Sequence, residues 1–91
     1  MMSPVGDRQL ENAYTFIVDN LAKRVNKYGP NSFNSTHEGL GVIAEEYHEL
    51  VEAVKSNENL QIINEASDVA VGCLWLIASM LKNDEHRNSE A

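Results

Sequence analysis

Two pairs of carboxylates stand at helical spacing in this chain: Glu46 with Glu49, and Glu65 with Asp68, with fifteen residues between the pairs. Side chains three apart share one helical face, so each pair can offer its oxygens to one point. Four hard oxygen ligands without an accompanying thiolate suit Mg²⁺ or Mn²⁺ better than zinc. Such a cation keeps several waters and takes its remaining ligands from phosphate oxygens, so the chemistry in view is metal-assisted work on a phosphorylated substrate. A plainer reading competes. Like charges at this spacing cost only about 0.2–0.5 kcal/mol, and solvated helix faces tolerate them. Two pairs on consecutive helices, each at the edge of an apolar arc, are less easily assigned to solvent alone.

Three helices are predicted to position these groups. The first runs from about Arg8 to Tyr28, where Leu10, Tyr14, Ile17, Leu21, Val25 and Tyr28 repeat every three or four residues. Gly29-Pro30 stops it. Ser35-Thr36-His37-Glu38 has the spacing of a capping box, which starts a second helix at about Thr36 and carries it to about Lys55. On a helical wheel, Leu40, Ile43, Ala44, Tyr47, Leu50, Val51 and Val54 form an apolar arc. Glu38, Glu45, Glu46, Glu49 and Glu52 form an acidic band beside it, with Glu46 nearest the arc. The short turn Ser56–Asn59 leads into a third helix, from about Leu60 to Lys82. There Glu65 and Asp68 edge an arc of Ile62, Ile63, Ala66, Val69, Ala70, Cys73 and Ile77. If the two helices pack antiparallel, the four carboxylates face one another across a groove. The polar segment 83–91 is predicted to fray.

The fold class is therefore all-α, a bundle of three main helices in a single domain spanning residues 1–91. The third helix is apolar over more than half its circumference, too much for two partner helices to cover. Homo-oligomerisation, to a dimer or tetramer, is the expected remedy. Hydrophobic residues make up 43% and charged residues 23%, a globular composition. Fourteen acidic against seven basic residues give a net charge of -7, which disfavours nucleic-acid polymers and anionic membranes as partners. Seven of the fourteen acids lie between Glu45 and Asp68, a concentration that a divalent cation would relieve. The apolar run Val69–Leu81 is shorter than the roughly 20 residues a membrane span needs. No signal peptide is evident, and the lone Cys73, in Val71-Gly72-Cys73-Leu74, reads as a buried thiol of a reducing cytoplasm.

Glu46-Tyr47-His48-Glu49 followed by Glu65-Ala66-Ser67-Asp68 resembles the E-x-x-E…E-x-x-D signature of the MazG-like, all-α nucleoside triphosphate pyrophosphohydrolases. The flanking Glu45-Glu46-Tyr47-His48-Glu49-Leu50 and Glu65-Ala66-Ser67-Asp68-Val69 are similar in style, and the likeness covers about half the chain. It implies a dimeric or tetrameric helical bundle and Mg²⁺-dependent cleavage between the α and β phosphates. The products would be a nucleoside monophosphate and pyrophosphate, in a house-cleaning role. Carried over residue by residue, it makes Glu46, Glu49, Glu65 and Asp68 the metal ligands. A carboxylate not wholly committed to metal can take a proton from the attacking water, and Glu45 and Glu49 are the candidates for that base.

Substrate contacts are more open. Lys23, Arg24 and Lys27 cluster near the end of the first helix and Lys82 near the end of the third. Any of them can reach a phosphate, or simply complement a helix C-terminus on a solvated face. Trp75 either stacks on a nucleobase, with Gly72 leaving room for the ring, or packs in the bundle core. Phe33 and Asn34 in the loop are further candidates for base contacts. His37 can touch substrate or stand exposed within the capping box. Two other classes of function share these residues. A non-catalytic helical module can keep the carboxylates as a structural metal site. A di-iron bundle can use the pair Glu45 and His48, although His48 turns away from the apolar arc.

Overall fold

A computed structural model describes residues 3–90, and over them the chain forms three helices and no strand. They are α1 (Asp7–Tyr28), α2 (Thr36–Ser56) and α3 (Asn59–Glu90). The predicted boundaries of α1 and α2 hold to within a residue. α3 does not stop at Lys82 but continues to Glu90. Segment 83–90 contains no proline or glycine, and polarity alone is not a stop signal when Lys, Glu and Arg are good helix formers. Ala91 lies outside the described residues.

Local chemistry sets the helix ends. Gly29 closes α1 at φ 78°, a conformation other residues avoid, and its N–H donates to the Val25 carbonyl at 2.8 Å. Ser35 caps α2, its Oγ accepting from the Glu38 N–H at 3.0 Å. The returning half of the capping box is displaced by one residue. Glu38 receives the backbone N–H of Asn34 at 3.3 Å and its side-chain amide at 3.2 Å. Asn57 ends α2 in the left-handed region, φ 62°, and donates to the carbonyls of Ala53 and Val54.

With so tight a turn, α2 and α3 form an antiparallel hairpin, and their contacts step outward from it in order. Ser56 meets Gln61, Glu49 approaches Glu65, Ile43 lies at Gly72, and Leu76 closes on Gly39. A Cβ on Gly39 would stand 2.9 Å from both Leu76 Cδ1 and Phe33 Cδ2, so only glycine lets the loop and α3 come this close. α1 packs along α3 in the same direction, with its backbone away from α2. Asn20 reaches Ser67, and the following loop climbs the same helix. The Asn31 carbonyl accepts from Trp75 Nε1 at 2.6 Å, and Ser79 Oγ accepts from the Phe33 N–H at 3.1 Å.

The interior of one chain is thin. Among the described residues only Ala53 and Val71 are buried apolar side chains, Ser67 and Ser79 are buried polar ones, and α1 buries none. The apolar arcs on α2 and α3 are only half covered: Leu40, Tyr47 and Val54 are exposed, as are Leu60, Ile63 and Ile77. Cys73, expected to be buried, is exposed on the same uncovered side of α3. Among the described residues of one chain no helix covers that face of α3, so a thiol on it stays exposed. Dimensions of 48 × 30 × 28 Å and a radius of gyration of 15.5 Å exceed the roughly 12 Å of a compact chain this long. By length and composition Asn59–Asp84 is apolar enough to cross a membrane, which the shorter run Val69–Leu81 had argued against.

Candidate metal centre

The hairpin brings the two carboxylate pairs together. One oxygen from each of Glu46, Glu49, Glu65 and Asp68 lies within 4.8 Å of the others. The cause is register: both pairs sit at similar distances from the turn, one before it and one after, so antiparallel packing lays them opposite each other. Glu46, Glu65 and Asp68 are half-buried along the seam, while Glu49 faces outward.

This clustering perturbs the acids. Burial raises the Glu46 carboxyl above its ordinary range, and Arg24 only partly opposes it, with Asp68 and Glu49 adding repulsion. Burial also raises Glu65, helped by the close approach of Glu49 and by the charges of Asp68 and Glu46. Glu65 Oε2 is shut off from solvent with no hydrogen-bond partner. A buried, partnerless carboxylate oxygen is costly unless something positive meets it. The donor set fits a hard divalent cation: four carboxylates, one orphaned oxygen and, among the described residues, no histidine or cysteine in the cluster.

Two residues of α1 hold the far wall. Asn20 Nδ2 donates to Ser67 Oγ at 2.8 Å and to Asp68 Oδ1 at 2.9 Å. Arg24 Nη2 lies 2.9 Å from the same Asp68 oxygen, and its guanidinium is 3.5 Å from Glu46 Oε1. Desolvation alone would lower the Arg24 pKa, but Asp68 and Glu46 outweigh it and hold it above its ordinary value. Asn20 is half-buried against α3, but a single asparagine at the edge of an apolar stripe carries no sequence signal of its own. For Arg24, clustered with Lys23 and Lys27, the sequence offers a phosphate contact or a solvated helix end, and the structure pairs it with the carboxylates instead. A signal existed: Leu21 and Val25 place Arg24 at the border of the buried stripe, as Glu46 is on α2.

The other candidates are scattered more widely. Glu45 and His48 are exposed and outside the cluster, so of the two candidate bases only Glu49 belongs to it. His37 is exposed in the first turn of α2. Lys23 borders a hollow of about 340 Å³ on the α1 side of Asp68, with Asn20 and Asn64. Lys27 is exposed, its ammonium 5.1 Å from the centre of the Tyr28 ring, and Lys82 donates to Ser32 Oγ at 3.3 Å.

Trp75 is neither fully in the core nor free. Anchored to the loop through its indole N–H, it lines a cavity of about 500 Å³ with Tyr28, Phe33, Val42, Val71 and Gly72. Asn34 and Glu38 supply polar atoms at this cavity's edge, and Arg24 forms the wall nearest the carboxylates. The cavity and the acidic cluster therefore share one residue, Arg24, which lines the first and pairs with the second. Ile43 rather than empty space meets part of Gly72, 3.3 Å from where its Cβ would be.

No family model, curated protein or solved structure matches this chain.

Proposed function

We propose that the chain is a Mg²⁺-dependent nucleoside triphosphate pyrophosphohydrolase of the MazG-like kind, converting (d)NTP to (d)NMP and pyrophosphate in nucleotide-pool house-cleaning. The observation that carries this reading is the convergence of Glu46, Glu49, Glu65 and Asp68, four oxygens within 4.8 Å from two helices. These four residues would hold the cation, with Mn²⁺ as a possible substitute for Mg²⁺. Bound there, a divalent ion neutralises triphosphate charge and polarises the anhydride.

The chain's own residues would do the rest. Glu49, the exposed member of the four, is the best placed to take a proton from water. The water oxygen bonds to the α-phosphorus, the bond to the bridging oxygen breaks, and pyrophosphate leaves with that electron pair. Asn20, through its hydrogen bond to Asp68, steadies that carboxylate beside the cluster. Lys23, beside Asp68, is available to a phosphate. The 500 Å³ cavity is large enough for a nucleobase, with Trp75 and Phe33 as stacking walls. A homodimer or homotetramer would cover the bare faces of α2 and α3. The proposed setting is the cytoplasm, where the substrate pool lies.

Incubation with Mg²⁺ and a panel of canonical and modified (d)NTPs, followed by ³¹P NMR, tests the reading. The expected products are monophosphate and pyrophosphate, with turnover lowered about 10²–10⁴-fold in Glu49→Gln and Asp68→Asn. Release of orthophosphate instead, or activity that survives both substitutions, would refute it.

A further inference from the structure

Arg24 touches both halves of the molecule that matter here. Its guanidinium is bonded to Asp68 at 2.9 Å and drawn to Glu46 at 3.5 Å, and the same side chain walls the 500 Å³ cavity. Among the described residues, no other cation pairs with any of the four clustered acids. Its side chain is 28% exposed, so it is neither locked in a core nor free in solvent. The Glu46 contact is at the long end of hydrogen-bond distance, which marks it as the looser of the two.

A guanidinium brings one delocalised charge to a site of four carboxylates. A divalent cation brings two charges and approaches oxygens to about 2.0–2.1 Å, closer than any N–H donor. The two compete for the same carboxylates, Asp68 and Glu46. The arginine has somewhere to go, because the cavity lies against it, and a planar fork of donors binds phosphate well.

We propose that Arg24 is a resident counter-cation, holding Glu46 and Asp68 together until a divalent ion replaces it and then turning its guanidinium to the substrate's phosphates. This rests on the metal-site reading above and adds to it a residue that exchanges one anionic partner for another. It makes an unusual pair of expectations. Removing the charge should strengthen binding of the metal alone and weaken binding of polyphosphate to the metal-loaded protein.

Calorimetric titration of Mn²⁺ alone, and then of inorganic triphosphate into Mg²⁺-saturated protein, tests this on wild type, Arg24→Gln and Arg24→Lys. Arg24→Gln should bind Mn²⁺ roughly fivefold or more tightly, since a competing charge is gone. Its triphosphate affinity should fall about tenfold, with Arg24→Lys between the two in both assays. Mn²⁺ affinity that is unchanged or weaker in folded Arg24→Gln overturns the proposal, as do shifts of the same sign in both assays. Should Arg24→Gln not fold, the Arg24 Nε–H resonance of the wild type decides. It should move on adding Mg²⁺ and again on adding triphosphate, and its staying fixed while the Glu46 and Asp68 amides respond overturns the exchange. Mn²⁺ binding lost in Asp68→Asn but indifferent to Arg24→Gln sinks this proposal alone, whereas no Mn²⁺ binding to any form sinks the metal site with it.

Discussion

Glu65 concentrates the cost of the arrangement. Its Oε2 has no partner, and burial with three neighbouring acids raises its pKa. A carboxyl raised in the folded state binds protons more tightly there than in the unfolded chain. For Glu46 and Glu65 alike, stability is then greatest at or below the ordinary carboxylate range and is lost as pH rises through the elevated values. Urea denaturation in EDTA should accordingly show a more stable protein at pH 5 than at pH 7.5, with the difference shrinking when Mg²⁺ is added. Glu65→Gln removes the charge without the volume. In EDTA at neutral pH it should be more stable than wild type, with a higher Tm, and lose the stabilisation by Mg²⁺ that wild type shows in the same thermal scan.

At the scale of elements, the α2–α3 hairpin does the positioning, and its register depends on close approach at Gly39 as much as on the turn. Gly39→Ala puts a methyl 2.9 Å from Leu76 and Phe33, and should cost about 1–3 kcal/mol by denaturant titration. Because this end of the hairpin borders the cavity rather than the acids, divalent affinity should fall less than stability does. The helices themselves were legible. Gly29-Pro30, Ser35 with Glu38, and the periodic apolar residues each carry a local physical signal that tertiary contacts did not override. The carboxylate pairs were legible for the same reason, since spacing fixes a helix face and a short turn fixes antiparallel register. Asn20 and Arg24 were not, because their partners lie 47 and 44 residues away, and the place of Arg24 at the border of the buried stripe tells of burial but not of partners. The end of α3 is not legible, because a polar segment without proline or glycine carries no stop signal.

The whole molecule is a chain with more apolar surface than it can cover. Among the described residues only Ala53 and Val71 are buried apolar side chains, and Cys73 is uncovered, a thin core for a small chain. Sedimentation equilibrium should find a dimer or tetramer, and replacing Leu60 and Ile77, both exposed on α3, with Lys should dissociate it. A detergent requirement for solubility would instead point to the apolar stretch Asn59–Asp84 as a membrane contact. The acid-rich hairpin gives the molecule its chemical character, and the most direct check is anomalous diffraction from a crystal soaked in Mn²⁺. A manganese peak should lie within about 2.0–2.3 Å of oxygens from Glu46, Glu49, Glu65 and Asp68, with the Arg24 guanidinium withdrawn from Asp68. No peak there, with the four carboxylates splayed toward solvent or Arg24 still seated between them, would contradict a metal centre at this seam.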